Sequence, residues 1–147
     1  MQSIVRGEMQ GEILIVGAGP TGLVLAIELQ RRGVRYRIVE RTAERHTQSR
    51  ATDIQARTLE IFRDLGVIDA VLAAGARRAA ASMHVGHKQL VHISYEGADT
   101  PYPFVVGLAQ HHTERILEDR LEQLGGKVER GVRLATLAQD DRGVAAV

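Results

Sequence analysis

The chain has 147 residues, 44% of them hydrophobic and 25% charged, which is enough for one globular domain with a real core. It has no cysteine, which excludes disulfides, thiolate metal sites and thiol catalysis. Its net charge of +1 argues against nucleic acid or a membrane surface as partner, and no apolar stretch approaches the length of a membrane span.

Residues 1–11 are mixed in charge and lack the apolar core of a signal peptide. They read as an N-terminal extension of a cytoplasmic protein, with Met9 a candidate natural start. The apolar run Ile13-Leu14-Ile15-Val16 then enters Gly17-Ala18-Gly19-Pro20-Thr21-Gly22. A helix is expected from about Pro20 to Arg32. A second apolar run, Tyr36-Arg37-Ile38-Val39, ends on Glu40, 18 residues past the last glycine. Strand, glycine turn, helix, strand and terminal acid in this order form a dinucleotide fingerprint in its required setting. Gly17 permits the tight turn, Gly19 lets a pyrophosphate approach the backbone, and Gly22 lets the helix pack closely on the sheet. The helix then directs its free N–H groups and positive dipole end at the phosphates. Pro20 suits the first turn, where its missing N–H costs nothing. Thr21 lies between Pro20 and Gly22 in this phosphate turn. Glu40 is placed to accept hydrogen bonds from a ribose diol, and its charge would repel a 2′-phosphate. The fingerprint alone does not separate NAD from FAD.

Arg41 to Arg50 is polar and reads as a loop. Thr52 or Asp53 is expected to cap a helix running to about Leu65, stopped by Gly66, and Val67 to Ala74 to form one further short helix. Between Ala79 and Tyr95, apolar residues alternate around Gly86-His87-Lys88, the pattern of an antiparallel hairpin. Pro101 and Pro103 keep Glu96–Pro103 irregular. A helix over about Thr113–Leu124 ends at Gly125-Gly126. Strands are expected over Lys127–Arg130 and Arg133–Ala138, and from Val144 after a turn at Asp140–Gly143.

The segments Glu40-Arg41, Arg45-His46, Gln48–Ala51, Gln55–Glu60 and Gln110–Glu118 resemble the FAD-dependent aromatic hydroxylases, the para-hydroxybenzoate hydroxylase-like flavoprotein monooxygenases. The resemblance covers about Glu12 to Val147. It implies an α/β fold: a Rossmann-like FAD-binding βαβ with an antiparallel hairpin excursion, about residues 79–104, toward the substrate-domain side. Residues 12–147 would then be the amino-terminal part of an FAD-binding domain. Carried over by position, Glu40 would hold the adenosine ribose and Arg41 would lie along the adenine or its phosphate. Arg50 would reach the diphosphate or ribityl region, and Gln110 the ribityl hydroxyls. A guanidinium suits a phosphate, and an amide both donates to and accepts from a polyol. With so many arginines in the chain, any single one also reads as a solvated surface charge.

The family reduces FAD with NADH or NADPH and uses O₂ to hydroxylate an activated aromatic ring. A small aromatic substrate and O₂ are therefore the expected partners, with the flavin and not a side chain carrying the chemistry. An FAD reductase or dehydrogenase of the same fold, and a non-catalytic nucleotide-binding or interaction remnant, remain open readings. The family carries an Asp-Gly motif just beyond the position of Val147, and this sequence has no Asp-Gly dipeptide. The chain therefore reads as truncated, and its unpaired strand edges invite self-association. The six histidines form no metal-binding pattern.

Overall fold

A computed structural model describes residues 13–45, 53–141 and 143–147. In chain order its elements are β1 (Ile13–Val16), α1 (Pro20–Arg31), β2 (Tyr36–Glu40), β3 (Asp53–Ile54), α2 (Ala56–Asp64), α3 (Ile68–Ala74), β4 (Ala76–Arg78), β5 (Ala80–Val85), β6 (Lys88–Ser94), β7 (Val105–Gly107), α4 (Gln110–Gln123), β8 (Val128–Arg130), β9 (Leu137–Asp140) and β10 (Gly143–Ala146). They fall into two compact units. One comprises residues up to Arg45 and from Glu118 onward; the other comprises residues between these.

The first unit is a parallel βαβ arrangement of the Rossmann type. β2 lies between β1 and β8, with Ile15 opposite Ile38 and Ile38 opposite Val128. Apolar residues of α1 at i, i+3 and i+4 (Leu23, Ala26 and Ile27) are fully buried, and the helix packs on β1 and β2. Burying each of the two large aliphatic side chains contributes about 2 kcal/mol. A continuous apolar run such as Ile13–Val16 ordinarily marks a strand covered on both faces. Here β1 is an edge strand among the described residues, and only Ile15 of its four is buried. Gln30 ties the end of α1 to the end of α4: its Nε2 donates to the Leu124 carbonyl at 3.0 Å, and its Oε1 accepts from the Tyr36 hydroxyl. Burial raises the pKa of that hydroxyl. β9 and β10 form a separate antiparallel hairpin.

In the second unit β7 pairs with β3 on one side and β4 on the other, all antiparallel. Its core is built from Ile54, Leu59, Phe62, Leu65, Val71, Val105 and Val106. The expected hairpin is present as β5 and β6, turning at Gly86, with an irregularity between Met83 and His84. Ala81 faces Ile93 and Met83 faces Val91 on one exposed apolar face.

Several boundaries differ from the sequence reading. Asp53 does not cap a helix; it lies in β3, opposite Gly107, and its carboxylate accepts from Arg78 Nη1 at 2.7 Å. Strand pairing of the neighbouring Ile54, which is buried, outweighs the local capping preference of the aspartate. The second helix starts instead after Gln55. β4 and β7 are three-residue strands too short to show a period, and α4 begins three residues before Thr113. The strand expected over Arg133–Ala138 begins only at Leu137. Thr52 lies outside the described residues.

Across β2 and β8, Arg37 grips Glu129 with two hydrogen bonds, Nε to Oε1 at 2.7 Å and Nη2 to Oε2 at 2.5 Å. Those bonds, against a desolvation that opposes them, hold the Glu129 pKa below its ordinary 4.5. The ionised glutamate is therefore the form that favours the fold. Its contribution is complete above pH 4.5 and disappears as pH falls through the lowered value. Both side chains are about a third exposed, so the contribution is about 0.5 kcal/mol. Unfolding titrations from neutral to acid pH are expected to show Glu129→Gln less stable than wild type above pH 4.5 and equal to it in strong acid.

Candidate functional site

The glycine turn follows directly from what its residues lack. Gly17 leaves β1 with φ +103°, a left-handed conformation that side chains resist, and its N–H donates to the Val39 carbonyl at 2.8 Å. Gly22 sits on α1 against this turn. A Cβ on Gly22 would lie 2.1 Å from the Gly17 carbonyl oxygen, so the helix approaches the strand end only because the position is bare. Gly19 differs from both. Its φ of −73° and ψ of 178° suit any residue, and a Cβ there would meet nothing within 4 Å. Its glycine answers to open space, not to backbone strain.

That space lies at the N-terminus of α1. Gly19 is the cap residue and offers no side chain, Pro20 follows at the first position, and the first turn holds no acid. Among the described residues, no acceptor engages the N–H groups of Gly19, Thr21 and Gly22. The helix end therefore has no side-chain cap and no acid in its own first turn.

Glu40, at the end of β2, reaches back to this turn. Its Oε2 accepts from the Ala18 backbone N–H at 3.0 Å. Its Oε1 accepts from the Thr42 backbone N–H at 3.0 Å and the Thr42 hydroxyl at 2.9 Å. The carboxylate thus accepts hydrogen bonds on both oxygens, one of them from the glycine turn. Arg41 follows it as an exposed residue.

A second polar cluster anchors the same loop. Glu118 on α4 is buried, with its side chain only 6% exposed. It pairs with Arg130 at the end of β8 (Nη2 to Oε2, 2.8 Å) and with Arg45 in the loop after β2 (Nε to Oε2, 2.8 Å). The backbone continues the tie: Gly131 N–H donates to the Thr42 carbonyl at 3.3 Å and Val132 N–H to the Glu40 carbonyl at 3.0 Å. Sequence reasoning did not single out Thr42, Glu118 or Arg130. Thr42 carries a local signal, a short hydroxyl side chain two residues after a carboxylate, able to bond back to it. The Glu118–Arg130 pair is long-range and leaves no local trace.

The other expected site residues are placed as follows. Gln110 opens α4 in the second unit, where its Nε2 donates to Glu114 Oε1 at 2.8 Å. Next to it, His111 Nδ1 is buried without a hydrogen-bond partner among the described residues. Arg50 lies outside the described residues. Gly17, Gly19, Pro20, Thr21, Gly22 and Glu40 are brought together in the first unit. No helix among the described residues is long and apolar enough to cross a membrane.

These residues suit an adenine dinucleotide. The Gly19 position is unobstructed, the helix end has no side-chain cap, and the Glu40 carboxylate bonds to the same turn, an arrangement of the kind that accepts a phosphate group. The sequence places the chain accordingly: residues 10–147 match the FAD binding domain family, and the chain belongs to that family. It is 43% identical over 129 residues to the 6-methylpretetramide 4-monooxygenase of Streptomyces rimosus, covering 86% of this chain and 23% of that protein. Its fold is similar to that of the anhydrotetracycline hydroxylase OxyS from Streptomyces rimosus, with a TM-score of 0.82, 33% identity, and coverage of 92% of this chain and 27% of the other. It is also similar to the flavin-dependent monooxygenase PieE, solved in complex with FAD and substrate, with a TM-score of 0.80, 29% identity and coverage of 96% and 27%. The chain thus spans about a quarter of the length of the relatives it matches.

Removing the Glu118 carboxylate takes this partner from Arg130 and leaves Arg45 its longer contacts to Asp119 and Glu122, at 3.6 and 3.8 Å. Glu118→Ala is expected to lower unfolding free energy by about 3 kcal/mol. Asp119→Ala, whose side chain is 49% exposed beside the same Arg45, is expected to change it by less than about 0.5 kcal/mol. Denaturant unfolding of both variants measures the contrast.

Proposed function

We propose that this chain binds the ADP half of FAD as the amino-terminal part of a flavin-dependent monooxygenase, one that hydroxylates an activated aromatic ring with NADH or NADPH and O₂. The single observation that carries this reading is the fixed Glu40 carboxylate beside the open, uncapped glycine turn. The names of the similar proteins, a monooxygenase and a hydroxylase among them, support the reaction class.

In this reading the N–H groups of Gly19, Thr21 and Gly22 donate to the diphosphate. Pro20 starts the helix without wasting a donor, and Glu40 accepts from the ribose hydroxyls. Arg41 lies along the adenosine, Arg50 adds positive charge to the diphosphate, and Gln110 contributes an amide to the ribityl chain. Flavin, when bound, supplies the oxygen-transfer chemistry, while the protein binds and orients it. Dependence on a nicotinamide reductant favours a cytoplasmic location.

Gly19 gives a clean test, because its backbone accepts any side chain and its surroundings are empty. It also precedes a proline, which favours the extended conformation it already has. Gly19→Val is expected to lower unfolding free energy by no more than about 1 kcal/mol, the difference between glycine and valine as helix caps, and to weaken binding of ADP and of FAD at least about tenfold, by placing methyl groups where the diphosphate sits. Calorimetric titration with ADP and flavin-fluorescence titration with FAD read the two affinities. Failure of the wild-type chain to bind either nucleotide, or equal binding by wild type and Gly19→Val, would overturn the reading.

A further inference from the structure

Glu40 is held by two groups of different kinds. The Ala18 and Thr42 N–H groups belong to the backbone and are present whatever the side chains. The Thr42 hydroxyl is a choice of residue. It donates to Glu40 Oε1 at 2.9 Å, while the adjacent N–H reaches the same oxygen at 3.0 Å. The Thr42 backbone is itself fixed through its carbonyl, which accepts from Gly131 N–H. The hydroxyl is therefore rigidly mounted.

We propose that Thr42 is a positioning residue for Glu40, aiming its carboxylate so that the site discriminates for a nucleotide bearing a free ribose 2′-hydroxyl. This rests on the nucleotide-binding reading above, and adds to it which side chain sets the sugar selectivity. A glutamate has three side-chain torsions, and an exposed one samples many rotamers. Bonds to one oxygen from Thr42 and to the other from Ala18 leave a single orientation of the carboxylate plane. A ribose diol then meets an acceptor already aimed. Without the hydroxyl, Oε1 loses one of its donors and the carboxylate is held less firmly. The diol contact then carries an ordering cost that weakens it selectively.

The probes are ADP and 2′-deoxy-ADP, titrated calorimetrically against the 147-residue chain. Their affinity ratio isolates the 2′-hydroxyl contact from the diphosphate contact. In wild type the ratio is expected to be about tenfold in favour of ADP, the size of one charge-assisted hydrogen bond. In Thr42→Val, which keeps the shape and the backbone N–H, it is expected to fall to about twofold, with 2′-deoxy-ADP affinity unchanged. Thr42→Ser, which restores the hydroxyl, is expected to recover the wild-type ratio. A merely structural role would weaken both nucleotides equally and lower the unfolding midpoint, leaving the ratio intact. That result, or an undiminished ratio in Thr42→Val, overturns the proposal while leaving nucleotide binding standing. If Glu40→Ala leaves the ratio unchanged, the proposal likewise fails; if wild type binds neither probe, the nucleotide reading itself fails.

Discussion

The first unit depends on an approach that only a missing side chain permits. The Gly17 carbonyl and the Gly22 α-carbon stand so close that a β-carbon on Gly22 would lie 2.1 Å from the oxygen. This contact sets where α1 begins relative to the end of β1. It also sets where the first-turn N–H groups point. An alanine at this position would move the helix outward, and the helix carries Leu23, Ala26 and Ile27 into the core. The same geometry that aims the donors thus also positions the packing. One constraint serves stability and site together, and the turn is not separable from the fold that presents it.

Electrostatics around the turn follow a division of labour. Charge near the α1 N-terminus is withheld: there is no capping side chain and no first-turn acid to satisfy the helix end. Charge at its flank is supplied by Glu40 and held in place by neutral donors. Arg45 and Arg130 in turn flank the buried Glu118. The Arg45–Glu118–Arg130 cluster acts one step removed. It holds Arg45, in the loop that follows Glu40.

Much of this was legible in the amino-acid order, for identifiable reasons. The βαβ unit was readable because its signals are local: an apolar run, glycines at fixed offsets, a helical period and a terminal acid. The β5–β6 hairpin was readable because alternation around Gly86 survives even though its residues are exposed. What escaped is non-local or short. Asp53 looked like a cap because aspartate caps helices, yet pairing with Gly107 is decided by residues more than fifty positions away. The three-residue strands β4 and β7 hold too few positions for a period to appear. At the site, Gly17, Gly22 and Glu40 followed from the fingerprint. The roles of Thr42 and Glu118 required knowing which loop β8 runs beside.

The glycines of the turn also show that one residue type can answer three separate demands. Gly17 is set by torsion, since its φ of +103° excludes most side chains. Gly22 is set by contact, since its φ is ordinary and its space is not. Gly19 is set by neither, being extended and unobstructed. Folding alone therefore explains two of the three and leaves the third without a cause inside the protein. A bare position that the fold does not need calls for something outside it, and the surrounding donors narrow what that is. Among the described residues no acceptor engages the N–H groups of Gly19, Thr21 and Gly22 at the positive end of a helix, and a carboxylate bonds to the same turn. A neutral or cationic group would gain little from that end of the dipole, whereas an anion is stabilised by it.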